Sequence, residues 1–397
     1  MSYQIGIGFN QDTHIEMAAR KAAVESRRGL MGTRPVITIV FSTVQYPPEI
    51  TLPIIRQSFM ESKIIGCSTA GIILPHSIST RGIGVLSIHH PEMTVGISQL
   101  SSIDSYQDLS KAGSILAQQT LQNFNSPQRD FFLCFTPGMI ENLSLFLTGL
   151  RTIFGNIFPM VGAGSCDDFH FNKTFQIYED EVLNNSAIGL LFGCPNLAVG
   201  IGSAHGWRPI GKPRYITKAI GNVIYTIDKK PAAALYEEFF DQKMGDLRND
   251  PIGKMMILYP LGLLSEETGE YLLRNPVDIL YDGSIVCQGE VSPGAEVHIM
   301  IGNKESCKSA FEIAANQAIS GLLGKAPRLV LIIESMSRLK LFGHSAHQEH
   351  EGLHKIFGTD IPIIGFYSNG EFCPSGTSDG MKRTHLQNGS VVICAIG

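Results

Sequence analysis

Apolar residues in this chain come as short, nearly unbroken runs, separated by segments in which they recur at three- and four-residue steps. That alternation predicts strands buried on both faces with helices packed over them. Val36-Ile-Thr-Ile-Val-Phe41 and Leu329-Val-Leu-Ile-Ile333 are such runs. Between them, Leu143, Phe146, Leu147, Leu150 and Phe154 form a helical core stripe near Asn142. The spacing also predicts a helix from about Thr13, opened by a Thr13-x-x-Glu16 capping box and stopped at Gly29 after Arg27 and Arg28. Ala18, Ala19, Ala22 and Ala23 give that helix a small-residue face for close packing.

The same pattern occurs in three copies, each an apolar strand followed by a second apolar pair entering a turn of small residues. Ile37–Thr43 leads to Ile65-Gly66-Cys67-Ser68-Thr69-Ala70-Gly71, and Phe131–Thr136 to Val161-Gly162-Ala163-Gly164-Ser165-Cys166-Asp167-Asp168. Leu329–Ser335 leads to Ile364-Gly365-Phe366-Tyr367-Ser368-Asn369-Gly370-Glu371, so that Gly66, Gly162 and Gly365 align. A strand running into a helix precedes each copy: Gln4–Asn10, Thr94–Leu100 with a helix from about Asp108, and Val297–Asn303 with one from about Lys304. The expected fold is α/β, with three related strand-helix-strand-helix-strand units, mixed sheets, and a strand-rich insert between units two and three. The insert runs from about Gly206 to Glu296, with strands near Tyr215–Lys218 and Asn222–Ile227 and one helix through Ala234, Leu235, Glu238 and Phe239. A boundary near Ser203 gives an N-terminal domain of residues 1–203, holding two units, and a C-terminal domain of residues 204–397, holding the insert and the third unit.

Composition narrows the function. With 31 Lys+Arg against 36 Asp+Glu the formal charge is −5, and no basic run stands ready to neutralise a row of phosphates. Nucleic acid is therefore not the expected partner. No apolar stretch reaches the roughly 20 residues of a membrane span, and Met1-Ser-Tyr-Gln-Ile-Gly6 lacks the features of a signal peptide, so a cytoplasmic protein is expected. The eight cysteines are scattered without a Cys-x-x-Cys pair and read as free, mostly buried thiols.

The three turns are the candidate chemistry, because small residues at a strand end let backbone N–H groups approach an anionic oxygen. Six positions after the shared glycine stand Ile72, Asp168 and Glu371, so two copies offer a carboxylate to an ammonium group. Arg338 follows the third buried strand, where a guanidinium suits a carboxylate. Together they fit a ligand resembling an amino acid. Alternatively the glycines only permit tight turns, and the chain is an interaction scaffold that binds no small molecule. A third reading is a hydrolase or transferase using Cys67, Ser68 or Ser165, although no Gly-x-Ser-x-Gly elbow or placed histidine supplies a base. His344, His347, His350 and His354 are the one metal-like cluster, with His350 and His354 on one helix face, but no His-Glu-x-x-His is present. Gly200-Ile-Gly202 lacks the Gly-x-Gly-x-x-Gly spacing of a dinucleotide site, and Trp207 reads as a domain-interface residue.

The chain resembles the FIST family, the F-box and intracellular signal transduction proteins, over nearly its whole length. The resemblance is carried by Ile65-Gly-Cys-Ser-Thr-Ala-Gly71, Val161-Gly-Ala-Gly-Ser-Cys-Asp-Asp168, Asp228-Lys-Lys-Pro-Ala-Ala-Ala-Leu-Tyr236, Arg338, Pro362-Ile-Ile-Gly-Phe-Tyr-Ser-Asn-Gly-Glu371 and Asn388-Gly-Ser390. It departs from the family pattern at Ile72, Ala163, Cys166 and Ser335-Met336-Ser337. The resemblance implies a cytoplasmic sensory protein that binds a small ligand, with amino acids the proposed class, and signals through a partner protein in trans. It brings no catalytic residues and no cofactor. The ligand-binding residues expected from these turns are Cys67, Ser68, Thr69, Ser165, Asp168, Arg338, Tyr367, Ser368, Glu371 and Asn388.

Overall fold

The computed structural model describes residues 3–140, 142–243, 245–246, 256–265, 269–376 and 382–397. The first unit runs β1 (Gln4–Asn10), α1 (Ile15–Gly29), β2 (Ile37–Thr43), α2 (Pro48–Ser58), β3 (Lys63–Thr69), the hairpin β4 (Ile72–Leu74) and β5 (Ser77–Ser79), then β6 (Ile83–His89). The second repeats it as β7 (Thr94–Leu100), α3 (Leu109–Gln122), β8 (Phe131–Pro137), α4 (Leu143–Phe154), β9 (Met160–Ser165), β10 (Gln176–Tyr178), β11 (Glu181–Leu183) and β12 (Ala187–Gly193). The third opens with β13 (Val199–Ala204) and is at once interrupted by the insert. The insert holds β14 (Trp207–Ile220), β15 (Val223–Ile227), β16 (Lys230–Pro231), α5 (Ala234–Phe240), β17 (Leu261–Leu264), β18 (Tyr271–Arg274), β19 (Pro276–Ile279), β20 (Ile285–Cys287) and β21 (Glu296–Gly302). The third unit resumes with α6 (Lys304–Gly321), β22 (Leu329–Ser335), α7 (Met336–Phe342), α8 (Leu353–Phe357), β23 (Ile363–Ser368), β24 (Glu371–Gly376), β25 (Lys382–Gln387) and β26 (Val391–Ile396).

Each unit builds a sheet in one strand order: its first strand, its last, its second and its third. The edge beyond the third strand is covered by the hairpin of another unit. β10 and β11 of the second unit extend the first sheet, β24 and β25 of the third extend the second, and β4 and β5 of the first extend the third. The exchange closes a ring of three units, and each hairpin pairs an edge that would otherwise present unpaired N–H and C=O groups.

The inner sheet faces share one core, where Phe41, Phe135 and Phe366 meet at ring-centroid distances of 4.5 to 6.1 Å. Alternation along β2 explains its unbroken apolar run: Ile37, Ile39 and Phe41 face this core, while Val40 faces α1 and α2. α1 and α6 lie very close to their sheets. A Cβ at Gly6 would stand 1.8 Å from Ser26 O, and one at Gly200 1.8 Å from Ala318 O. Gly200 and Gly202 therefore serve helix-on-sheet packing, which is why they lack the nucleotide-binding spacing.

Several expectations are revised. The first strand of the third unit is β13, paired with β26, whereas the expected Val297–Asn303 segment forms β21 and pairs with β14 inside the insert. The N-terminus of α1 has no side-chain cap, and Asp12 Oδ1 instead accepts from His14 N. His350 and His354 do not share a helix face, because Gly352 (φ 109°) breaks the chain before α8. Trp207 is buried, donates from Nε1 to Leu258 O, and packs on Gly302 and Gly389, where insert and third unit meet.

Candidate functional site

The three turns converge, and they close on one another. Cys166 N donates to Ser68 O, and at the equivalent positions Asn369 N donates to Gly164 O. Gly164 N donates to Gly370 O, and its counterpart Tyr367 N donates to Gly71 O. At the third junction the Cys166 thiol replaces the symmetric backbone bond, accepting from Ala70 N at 3.2 Å and donating to Tyr367 O at 3.0 Å. Cys166 thus stands where a small residue is expected because its sulfur completes the ring.

The expected ligand residues of these turns are spent on the same closure. Thr69 Oγ1 bonds Gly71 O and Tyr367 O, Ser68 Oγ accepts from Phe175 N, and Ser165 Oγ donates to Thr136 O while accepting from Gln176 Nε2. Glu371 accepts from Ser368 Oγ, Gly370 N, and the Oγ and N of Ser390. Burial pushes the Glu371 carboxyl up to about 7 against those four donors. Cys67, Ser68, Thr69, Tyr367, Ser368 and Glu371 are all fully buried, and none of them lines any of the three main cavities. Burial also raises the Cys67 thiol far above its usual range, which disfavours a nucleophilic thiolate there. Asp168 lies apart on the surface, its side chain 38% exposed and bonded to Gln45 Nε2. Its neighbour Asp167 is the structural acid: its carboxylate accepts the N–H groups of His170, Phe171, Asn172 and Lys173 and fixes that loop.

Arg338 does not reach these turns. Nε donates to Glu334 Oε1 at 2.9 Å, Nη2 pairs with Glu349 Oε1 and donates to Cys307 O, and Nη1 donates to His205 O. Burial alone would pull the guanidinium down, but Glu349 and Glu334 outweigh it and the net shift is upward. The expected carboxylate receptor is an internal strut. His350 belongs to the same cluster, with Nε2 2.8 Å from Glu334 Oε2 and its ring edge-on to Phe311, and burial draws it down to about 4. His354 instead stacks on His76 of the β4–β5 hairpin at 4.5 Å. Among the described residues no three His, Cys, Asp or Glu side chains gather as metal ligands.

An open groove of about 730 Å3 lies between α4 and the insert. Arg274, at the end of β18, lines it while being only 5% exposed. Nε donates to Glu290 O and Nη1 to Leu273 O and Leu386 O; among the described residues Nη2 makes no hydrogen bond and no carboxylate pairs with the group. Burial pulls this guanidinium down to about 10, which leaves it charged at neutral pH. Gly289 permits the approach, since a Cβ there would stand 2.9 Å from Arg274 Nε. Arg151 of α4 joins the cationic side of the groove, Glu290 and Glu296 supply carboxylates, and Leu147, Leu263 and Leu272 supply apolar wall. Sequence reasoning passed over Arg274, although an arginine after Tyr271-Leu-Leu and before Asn-Pro is a cation embedded in a buried strand.

The FIST N domain model matches residues 36–230 and the FIST C domain model residues 232–374. The chain belongs to the FIST family. Its family is associated with signal transduction and small-ligand sensing. Full-length relatives of this FIST protein include an uncharacterised protein of Mycobacterium tuberculosis, 23% identical over 389 residues that cover 94% of this chain and 95% of the relative. Another, from Mycobacterium bovis, is 22% identical over 390 residues and 94% of each chain. Among solved structures, a chorismatase aligns with 100% of this chain and 99% of its own at 7% identity and a TM-score of 0.38, a distance that bears on neither chemistry nor function. No helix among the described residues is long and apolar enough to cross a membrane.

Proposed function

We propose that this FIST protein is a sensory binding protein whose ligand is a small carboxylate of amino-acid type, held in the groove between α4 and the insert. The observation that supports it is Arg274, a buried cation on the groove wall that forms no ion pair among the described residues and whose charge the Glu290 carboxylate favours only in part. A guanidinium without a counter-charge is costly to bury, and an incoming carboxylate relieves that cost with a charge-assisted bond. Glu290 and Glu296 on the groove wall suit an ammonium group, and the leucines suit an apolar side chain. The volume lies in the range of ordinary small-molecule sites. A ligand that bridges the second unit and the insert favours one setting of the two over others, and a partner protein in trans reads that setting. The closed turns also speak against catalysis there, because Cys67, Ser68 and Ser165 are buried and the two serines carry structural hydrogen bonds.

Calorimetric titration with the common amino acids and with their α-carboxamides tests the reading. One amino-acid class is expected to bind, its carboxamide at least about tenfold more weakly, and Arg274→Lys should lose a similar factor. Equal binding of acid and amide, or no binding by any member of the set, would remove Arg274 from the role.

A further inference from the structure

A second cavity, of about 220 Å3, lies on the other side of the same strands. Arg274 lines the groove and the next residue, Asn275, lines the cavity; in the turn after β20, Gln288 lines the cavity and Glu290 the groove. The remaining polar wall is Gly138 and Asn369, from the second and third units. The apolar wall is Ile140, Phe171, Ile257 and Val277, with Met139 and Pro276. No charged residue or histidine lines it among the described residues.

The amides are tied to one another, except for the side chain of Asn275. Gln288 Nε2 donates to Gly138 O and Asn369 O at 3.0 and 2.9 Å, and Asn369 Nδ2 donates to Gly138 O at 2.8 Å. Asn388 Nδ2 donates to Gln288 Oε1 at 2.7 Å, and Asn388 Oδ1 accepts from Asn275 N at 3.0 Å. Among the described residues Asn275 Oδ1 is buried without a partner, on a residue only 5% exposed. Buried polar atoms are rarely orphaned, and the exceptions call for a reason. A water molecule satisfies such an acceptor but leaves the apolar wall unfilled. The wall is also held in place: Phe171 sits at positive φ (55°), and Asp167 fixes the loop that carries it.

We infer that this cavity is a second ligand site, for an uncharged small molecule that donates one N–H or O–H to Asn275 Oδ1 and buries a ring or chain against Ile140, Phe171 and Val277. Charge is excluded by cost, since nothing in the wall compensates it. The size is adequate, as an apolar cavity of about 150 Å3 already holds benzene. The site stands apart from the Arg274 groove and does not depend on it.

Indole and benzofuran probe the site, because they share a shape and only indole carries an N–H donor. Ligand-observed NMR titration of the wild-type protein should find indole binding about fivefold or more tightly than benzofuran, the worth of one hydrogen bond to a buried acceptor. Asn275→Leu should abolish that preference, and Val277→Trp, which fills the cavity, should weaken both probes. Equal affinity of the two probes for the wild type, or indole binding that survives Val277→Trp unchanged, would overturn the inference. So would the failure of both probes to bind up to their solubility.

Discussion

Arg338 and Arg274 are both buried, but Arg338 lies between Glu334 and Glu349 with its donors occupied by carboxylates and carbonyls, whereas Arg274 has carbonyls alone. Their ionisation moves in opposite directions: Arg338 is held up by its acids in spite of burial, and Arg274 is drawn down to about 10 by burial. A buried guanidinium with its counter-charge supplied by the fold is a strut. One without an ion pair, on the wall of a groove, is the candidate receptor. The difference lies in the partners, not in the burial.

Truncating the strut should have the largest effect. Arg338→Met leaves two acids buried without their cation, and removing one member of such a cluster costs about 3–5 kcal/mol. The midpoint of urea unfolding should fall accordingly, and an unchanged midpoint would show that the cluster holds no charge pair. Arg274→Met should cost less, about 1–3 kcal/mol for the carbonyls left without donors, partly offset by removal of an uncompensated charge. Its main effect should fall on binding of the small carboxylate, weakened by about 2 kcal/mol or more. A loss of stability as large as that of Arg338→Met would collapse the distinction between the two arginines.

pH separates two other buried groups by sign. Glu371 has a folded value of about 7 against an ordinary 4.5, so the native state holds its proton longer than the unfolded chain. The stability it contributes is fully present below the ordinary value and is lost as pH rises towards about 7. His350 has a folded value of about 4 against an ordinary 6.5, so its contribution is present above the ordinary value and lost as pH falls towards about 4. Between about pH 5 and about pH 7.5 the wild-type advantage over Glu371→Gln should shrink, and the advantage over His350→Gln should grow. Parallel trends in the two variants would contradict the assignment.

Much of the fold was legible because both faces of each central strand are buried, which leaves unbroken runs such as Val36–Phe41, and because Gly66, Gly162 and Gly365 recur at equivalent turns. The hairpin exchange was not. Ile72–Leu74 and Ser77–Ser79 are too short to carry a pattern of their own, and nothing local says that they pair with a sheet from another unit. The closure of the turns was not legible for a related reason. Glycine and serine at a strand end have the same composition whether the turn opens to a ligand or closes on two other turns, and here Cys166 and Thr69 close it. For Arg338 a signal was present, since Glu334 stands four residues earlier and is its partner across the end of β22. The counter-charge of a buried arginine has to be sought in its own neighbourhood before a ligand is invoked.

The smallest expected effect tests the strut most finely. Burial, with Glu334 added to it, raises the Glu349 carboxyl well above its ordinary range in spite of Arg338. Glu349→Gln keeps a carbonyl oxygen for Arg338 Nη2 while Glu334 still supplies a carboxylate, so its unfolding midpoint should correspond to a change of less than about 1 kcal/mol. Glu334→Gln should behave differently, because Glu334 accepts from Arg338 Nε and also meets His350 Nε2, so its loss should approach that of Arg338→Met. Equal losses in the two glutamine variants would mean that both acids share the charge opposite Arg338, and the strut would be a triad instead of a pair.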